Sequence, residues 1–208
     1  MDTALLREYR TLHGLSSPQD WLAGRVQQLG FSLLRQEDGL LLASLGSGPS
    51  LCLAARMEPQ RTESGICHPW GHDAACAMVL TAAARAAGEG IGRGSLKLLF
   101  WDGQAEPPMM PEAVEICLLP GKAGRAAVTD VSPGAKALAE RCAAAVREVL
   151  GAVSDGQSPE PFCPQLGCRI GVCAAPSPCL GAPEMDFRKA ALEHGADILS
   201  DLIHKGIY

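Results

Sequence analysis

The side chains able to hold a metal or act as nucleophiles are nine cysteines, five histidines and scattered carboxylates. The cysteines stand at Cys52, Cys67, Cys76, Cys117, Cys142, Cys163, Cys168, Cys173 and Cys179, and no two have the C-x-x-C spacing of a zinc ribbon or a thioredoxin-like centre. The run from Cys163 to Cys179 advances by five, five and six residues, which matches no ligand motif. These residues read as small apolar side chains that happen to carry sulfur, and their odd number argues against a disulfide framework. Cys76 and Cys142 fall on apolar helix faces and belong to a core, while Cys117, beside Leu118 and Leu119, reads first as a buried strand residue. His72 opens a helix within Gly71-His72-Asp73, where a histidine caps more often than it ligates; His13 and His68 need no metal either.

The elements that must position these groups follow from pattern. Ser16-Ser17-Pro18 is a hydroxyl-and-proline helix start, and Trp21, Leu22, Val26 and Leu29 fall on one helical face before Gly30 stops it. A shorter helix, Leu5–His13, precedes it. Phe31–Leu34 and Leu40–Leu45 read as strands around the turn Glu37-Asp38-Gly39, with a further strand at Ser50–Ala55. An Ala-rich helix spans Ala74–Ala87, Ser95–Trp101 is a buried strand, and Val114–Leu118 a weaker one. Ser132-Pro133 starts a helix whose apolar face carries Leu138, Cys142, Val146 and Val149. From Ser154 to Pro183 the chain is rich in Pro, Gly and Cys and reads as loop, with one short strand at Arg169–Cys173; a last helix covers Phe187–His204. Strands alternating with helices predict an α/β fold, a single three-layer domain over residues 1–208 with a mostly parallel sheet covered by helices.

Composition narrows the function classes. The chain has 208 residues, enough for one sizeable core, and with aromatics at only 4% that core must be built from Leu, Ala, Val and Ile. A net charge of −5 without a Lys/Arg run argues against nucleic acid. No stretch has the length of a membrane span, and Met1–Arg10 is charged and lacks a signal peptide's apolar stretch, so the expectation is a cytoplasmic protein without membrane contact.

Four segments, in order, resemble the zinc amidohydrolases and peptidases that include hippurate hydrolase, bacterial aminoacylases and auxin-conjugate hydrolases. Leu6-Arg7-Glu8-Tyr9-Arg10-Thr11-Leu12-His13, followed by a helix ending in Leu29-Gly30-Phe31, resembles the family's opening R-R-x-L-H and later L-G-F. His68-Pro69-Trp70-Gly71-His72-Asp73-Ala74 resembles its metal motif H-A-C-G-H-D-A. Leu96–Phe100 resembles the strand before its catalytic glutamates, and Pro183-Glu184-Met185-Asp186-Phe187 its C-terminal segment. The family inserts a second domain, the lid, where this chain runs from Pro120-Gly121 to Ser132. The resemblance therefore implies a lid-less catalytic domain, with Gly121–Val131 a short connector and no lid-type dimer.

Relatives of this kind hold two divalent metals with a Cys, a Glu and three His, and use a neighbouring Glu as general base. The metal polarises the amide carbonyl and acidifies a bound water, and the base takes its proton. Carried over without gaps, the motif Cys becomes Trp70, His72 is kept as a metal ligand with Asp73 beside it, and the glutamate pair falls on Gln104-Ala105 with Glu106 one position late. The next His falls on Cys117, a replacement ligand, and the last on Gly181. The resemblance thus implies a catalytically defective member, a pseudoenzyme without a bound cofactor, acting as a binding or scaffold subunit with a protein partner. The alternative is a divergent metal-dependent hydrolase of N-acyl amino acids or small peptides, completed if necessary by another chain. Such an enzyme would use zinc or another divalent metal on His72 and Cys117, with Glu106 and Asp73 catalytic.

Overall fold

Along Leu40–Ala43 and Leu96–Trp101 successive side chains enter two different apolar clusters on opposite faces of the sheet, and those faces organise the molecule. The computed structural model describes residues 3–58, 60–62, 65–67, 71–121, 124–158, 160–174 and 185–207. In chain order these form α1 (Thr3–His13), α2 (Gln19–Gln28), β1 (Ser32–Glu37), β2 (Leu40–Ser47), β3 (Ser50–Arg56), β4 (Gln60–Thr62), β5 (Gly65–Cys67), α3 (His72–Glu89), β6 (Gly94–Trp101), β7 (Met110–Pro120), β8 (Ala126–Val131), α4 (Lys136–Leu150), β9 (Leu166–Ala174) and α5 (Met185–Ile207). Seven strands make one sheet in the order β1-β2-β6-β3-β7-β9-β8, and β4 and β5 form a small separate ladder. The pairings β6/β3, β3/β7 and β7/β9 are parallel, while β1, β2 and β8 add antiparallel flanks. This is the expected α/β fold, and Ser50–Ala55 and Leu96–Phe100 are parallel neighbours in one sheet as the family pattern requires.

Side chains pointing to one face, among them Leu41, Leu53, Leu98, Ile116 and Ile170, join residues from all five helices in a single core. The opposite face carries Leu40, Ala54, Leu99, Trp101, Ala113, Cys117, Leu119 and Cys173, and among the described residues no helical side chain belongs to its clusters. Among the described residues, Phe162, Cys163 and Ala105, all in loops, pack against it. Part of this face stays open: Lys97 and Glu112, 3.1 Å apart, are each more than a quarter exposed.

Several expected boundaries move for physical reasons. Gly121–Val131, expected as connector, contains β8, which pairs antiparallel with β9 and finishes the sheet. Helix α4 begins at Lys136, because Pro133-Gly134 makes a turn in which Gly134 has a positive φ and the amide of Ala135 bonds Ser132 O at 3.0 Å. Strand β9 is longer than Arg169–Cys173 and buried along its whole length. The Glu37-Asp38-Gly39 turn forms as expected, and only glycine fits at 39, where φ is +73° and the Asp102 carboxylate lies 2.3 Å from where a Cβ would be.

Candidate functional site

In a parallel sheet the strand carboxyl ends meet helix amino termini, and ligand sites gather there. Here those ends are Arg56, Trp101, the stretch Cys117–Pro120 and Gly171–Ala174. Helix α3 starts against them. Its cap, Gly71, has φ 71°, and a Cβ there would lie 2.5 Å from Leu118 Cδ1, so a glycine is what lets the helix approach β7 this closely.

That approach delivers His72, which is buried. Its Nε2 lies 2.9 Å from Glu160 Oε1 and its Nδ1 lies 3.2 Å from Glu58 O. Both ring nitrogens thus face protein oxygens, and neither is aimed at an open position. Cys117 belongs to the same neighbourhood. Burial pushes its thiol up to about 12, against the stabilising nearby charge of Arg169 and a hydrogen bond with Ser158, while Glu115 and Glu160 push it further up. It is therefore held as a thiol near neutral pH.

Beneath these two residues runs a buried ionic network. Glu115 accepts from Arg56 Nε at 3.2 Å through Oε1 and from Arg169 Nε at 2.8 Å through Oε2, and the Arg169 side chain is 0% exposed. The remaining guanidinium nitrogens of Arg169 donate to Glu160 O and Pro161 O, both at 2.9 Å, and reach Asp130 Oδ2 at 3.5 Å. Arg56 also donates to Pro161 O. The two guanidinium groups lie over aromatic rings, Arg56 over Trp101 at 5.6 Å and Arg169 over Phe162 at 5.3 Å. Two arginines thus tie the loop carrying Glu160–Phe162 down onto the open face of the sheet.

Of the residues singled out in the sequence, His72 contacts Glu160, and the charge of Glu160 also acts on Cys117. Asp73 turns the other way: its Oδ2 lies 2.7 Å from His13 Nδ1 and its Oδ1 accepts from the amide of Ala74 at 2.8 Å, joining α3 to α1. Glu106 sits in the loop after β6 and accepts from Gln165 at 2.9 Å, on the rim of a hollow of about 340 Å³ floored by Trp101 and flanked by Gln104, Phe162 and Cys163. Trp70 and Gly181 lie outside the described residues. Sequence reasoning missed Arg56, Glu115, Glu160 and Arg169. The available signal was a lone charge inside each of two apolar strands, Val114-Glu115-Ile116 and Cys168-Arg169-Ile170, a pattern that calls for an opposite partner.

The described residues do not fit a divalent metal. Among them no group of three or more His, Cys, Asp or Glu converges as a ligand set, whereas a catalytic zinc site draws about three protein ligands. Glu115, in the middle of β7, has both oxygens engaged by guanidinium groups, and His72 faces acceptors.

The mixed sheet with a parallel centre and helices packed on it is a fold shared with the catalytic domains of solved metallopeptidases. The individual likenesses are to solved structures. The YXEP protein of Bacillus subtilis, a dinuclear metal-binding peptidase from the M20 family, superposes with a TM-score of 0.70 at 10% identity, covering 99% of this chain and 98% of that one. The LapA aminopeptidase of Legionella pneumophila gives 0.70 at 10% identity, covering 100% and 72%. A putative aminohydrolase from methicillin-resistant Staphylococcus aureus gives 0.64 at 9% identity, covering 98% and 96%. No family profile matches the chain, and no curated protein matches it in sequence. At these identities the shared property is the fold. Among the described residues, no helix is long and apolar enough to cross a membrane.

Proposed function

We propose that this protein is a non-catalytic member of the zinc amidohydrolase and M20 peptidase group, in which an organic ion network has replaced the metal centre and which works as a binding or scaffold subunit for a protein partner in the cytoplasm. The observation that carries this reading is Glu115 gripped by Arg56 and Arg169 on the sheet face that carries Cys117. A buried guanidinium neutralises a carboxylate and fills its coordination sites, which is what a metal would otherwise do, but it cannot polarise a carbonyl or acidify a water. The base position of the family pattern is Gln104, which cannot accept a proton near neutral pH. Glu106, two residues further on, is bonded to Gln165 on the hollow's rim.

A divergent metal-dependent hydrolase is the second reading, favoured by the meeting of His72, Glu160 and Cys117 near one another. Elemental analysis of protein purified without chelator, combined with assays on N-acetyl and N-benzoyl amino acids in added zinc, manganese or cobalt, separates the two. The expected result is less than one tightly held metal ion per chain and no turnover above buffer. A stoichiometric pair of metals, or turnover abolished by Glu106→Gln, overturns the non-catalytic reading.

A further inference from the structure

In the helix-covered core two thiols meet. Cys142 on α4 and Cys168 on β9 are both 0% exposed, stand 26 positions apart in sequence, and hold their Sγ atoms 3.5 Å from each other. At that separation the sulfurs share a hydrogen bond, and side-chain rotation that closes about 1.5 Å would bring them to bonding distance. The chain between them leaves along α4, passes through the loop holding Glu160–Phe162 and returns along β9. That loop is anchored by Arg169, the neighbour of Cys168, and it sets Glu160 against His72. A bond between the two sulfurs would close a ring around the segment that packs on the open face.

Burial decides when such a bond can form. In the folded chain both sulfurs are enclosed, and the hydrogen bond with Cys168, together with burial, pushes the Cys142 thiol up and away from the thiolate that attacks disulfides. While the chain is still folding, both sulfurs are open to solvent, and the fold then brings this pair together. We propose that Cys142 and Cys168 form a redox-set latch, joined when the chain folds with a small disulfide such as oxidised glutathione and left as two thiols when it folds in reductant. One protein thiolate attacks the small disulfide, breaking its S–S bond and releasing one thiol. The second protein thiolate attacks the mixed disulfide, forms the Cys142–Cys168 bond and releases the other thiol. The two cysteines lose two electrons and two protons, and the small disulfide takes them up as two thiols. Once made, the bond is enclosed by the core, so the chain keeps the state in which it folded. The latch stands or falls independently of whether the protein is catalytic.

To test it, the full chain is unfolded in urea with reductant and diluted into mixed reduced and oxidised glutathione at about pH 8. Free thiols are then blocked and the peptides mapped by mass. The expected product is one dominant bond, Cys142–Cys168, with a melting midpoint about 5–10 °C above that of chain refolded in reductant alone. Chain already folded in reductant should acquire the bond at least about tenfold more slowly from the same mixture, because its sulfurs are enclosed. Cys142→Ala should lose the gain in midpoint, and Cys168→Ala, on the other element, repeats the test should the first variant fold poorly. Four results would each overturn the proposal: refolded chain without the Cys142–Cys168 bond, bonds spread evenly over other cysteine pairs, closure as fast in the folded chain as in the refolding one, or a midpoint gain that survives in either folded variant.

Discussion

Arg169 Nε donates to Glu115 Oε2 at 2.8 Å between adjacent parallel strands, with the two side chains 0% and 1% exposed. Leaving either charge without the other in this position is costly, whereas removing both is not. Arg169→Met should therefore lower unfolding free energy by about 3–5 kcal/mol, because Glu115 would keep only Arg56 and the Glu160–Phe162 loop would lose two carbonyl anchors. Arg169→Met combined with Glu115→Leu should recover most of that loss. Urea denaturation of the single and double variants checks it; a single variant within about 1 kcal/mol of the parent would contradict it.

Gly71 marks the closest approach of α3 to β7. Alanine there combines a left-handed φ with a contact on the Leu118 side chain, so Gly71→Ala should cost about 1–3 kcal/mol. Trimming the obstacle in a Gly71→Ala, Leu118→Ala double variant should not restore stability, because the backbone strain persists and a cavity is added. Thermal melts of the three variants test the ordering.

Glu112 gives the acid limb a defined sign. Burial pushes its carboxyl up, but bonds from its own backbone amide, Lys97 and Ser50 outweigh this and hold it below the usual glutamate value. A lowered folded value means stability that is present above the unfolded pKa of about 4.3 and is lost as pH falls through the folded value. Glu112→Gln should consequently show a flatter loss of stability below about pH 4 than the parent. Parallel slopes for the two proteins would remove Glu112 from the account.

Thiol labelling should separate the cysteines sharply. Cys52, Cys76, Cys117, Cys142 and Cys168 are buried, and burial pushes the thiols of Cys52, Cys76 and Cys117 up, while Cys163 is half-buried at the rim of the hollow beside Phe162. Iodoacetamide on the native chain near pH 8 should modify Cys163 well before those five, as read by peptide mass mapping. Early labelling of Cys117 would mean that the Glu160 loop opens readily.

The order of elements was legible because its signals are local: the Gly39 turn, the Ala-rich run after His72 and the apolar stretch at Leu96–Trp101 each announce themselves within a few residues. Strand β8 was hidden in an apparent connector, since Ala126–Val131 is short and mixes Thr129 and Asp130 into its pattern. Strand β9 was underestimated because Gly167, Arg169 and Gly171 break an otherwise apolar run, and the charge of Arg169 makes sense only beside Glu115. The site divides in the same way. His72 and Cys117 could be singled out because a short motif and an ordered resemblance point to them. Glu160 could not, because it lies in loop sequence with nothing nearby to suggest that it reaches a helix start far earlier in the chain.

One feature of the sheet bears on how the chain reaches this state at all. β2 and β3 are joined by only Gly48 and Pro49, yet β6 stands between them, antiparallel to one and parallel to the other. They are the two halves of a split hairpin, and the strand that splits them is synthesised much later. Until Gly94–Trp101 emerges, the two halves are free to pair directly with each other, and any such pairing has to open before the final order can form. The stretch from Met57 to Arg93, with His72–Glu89 inside it, sets how long that alternative stays open during translation.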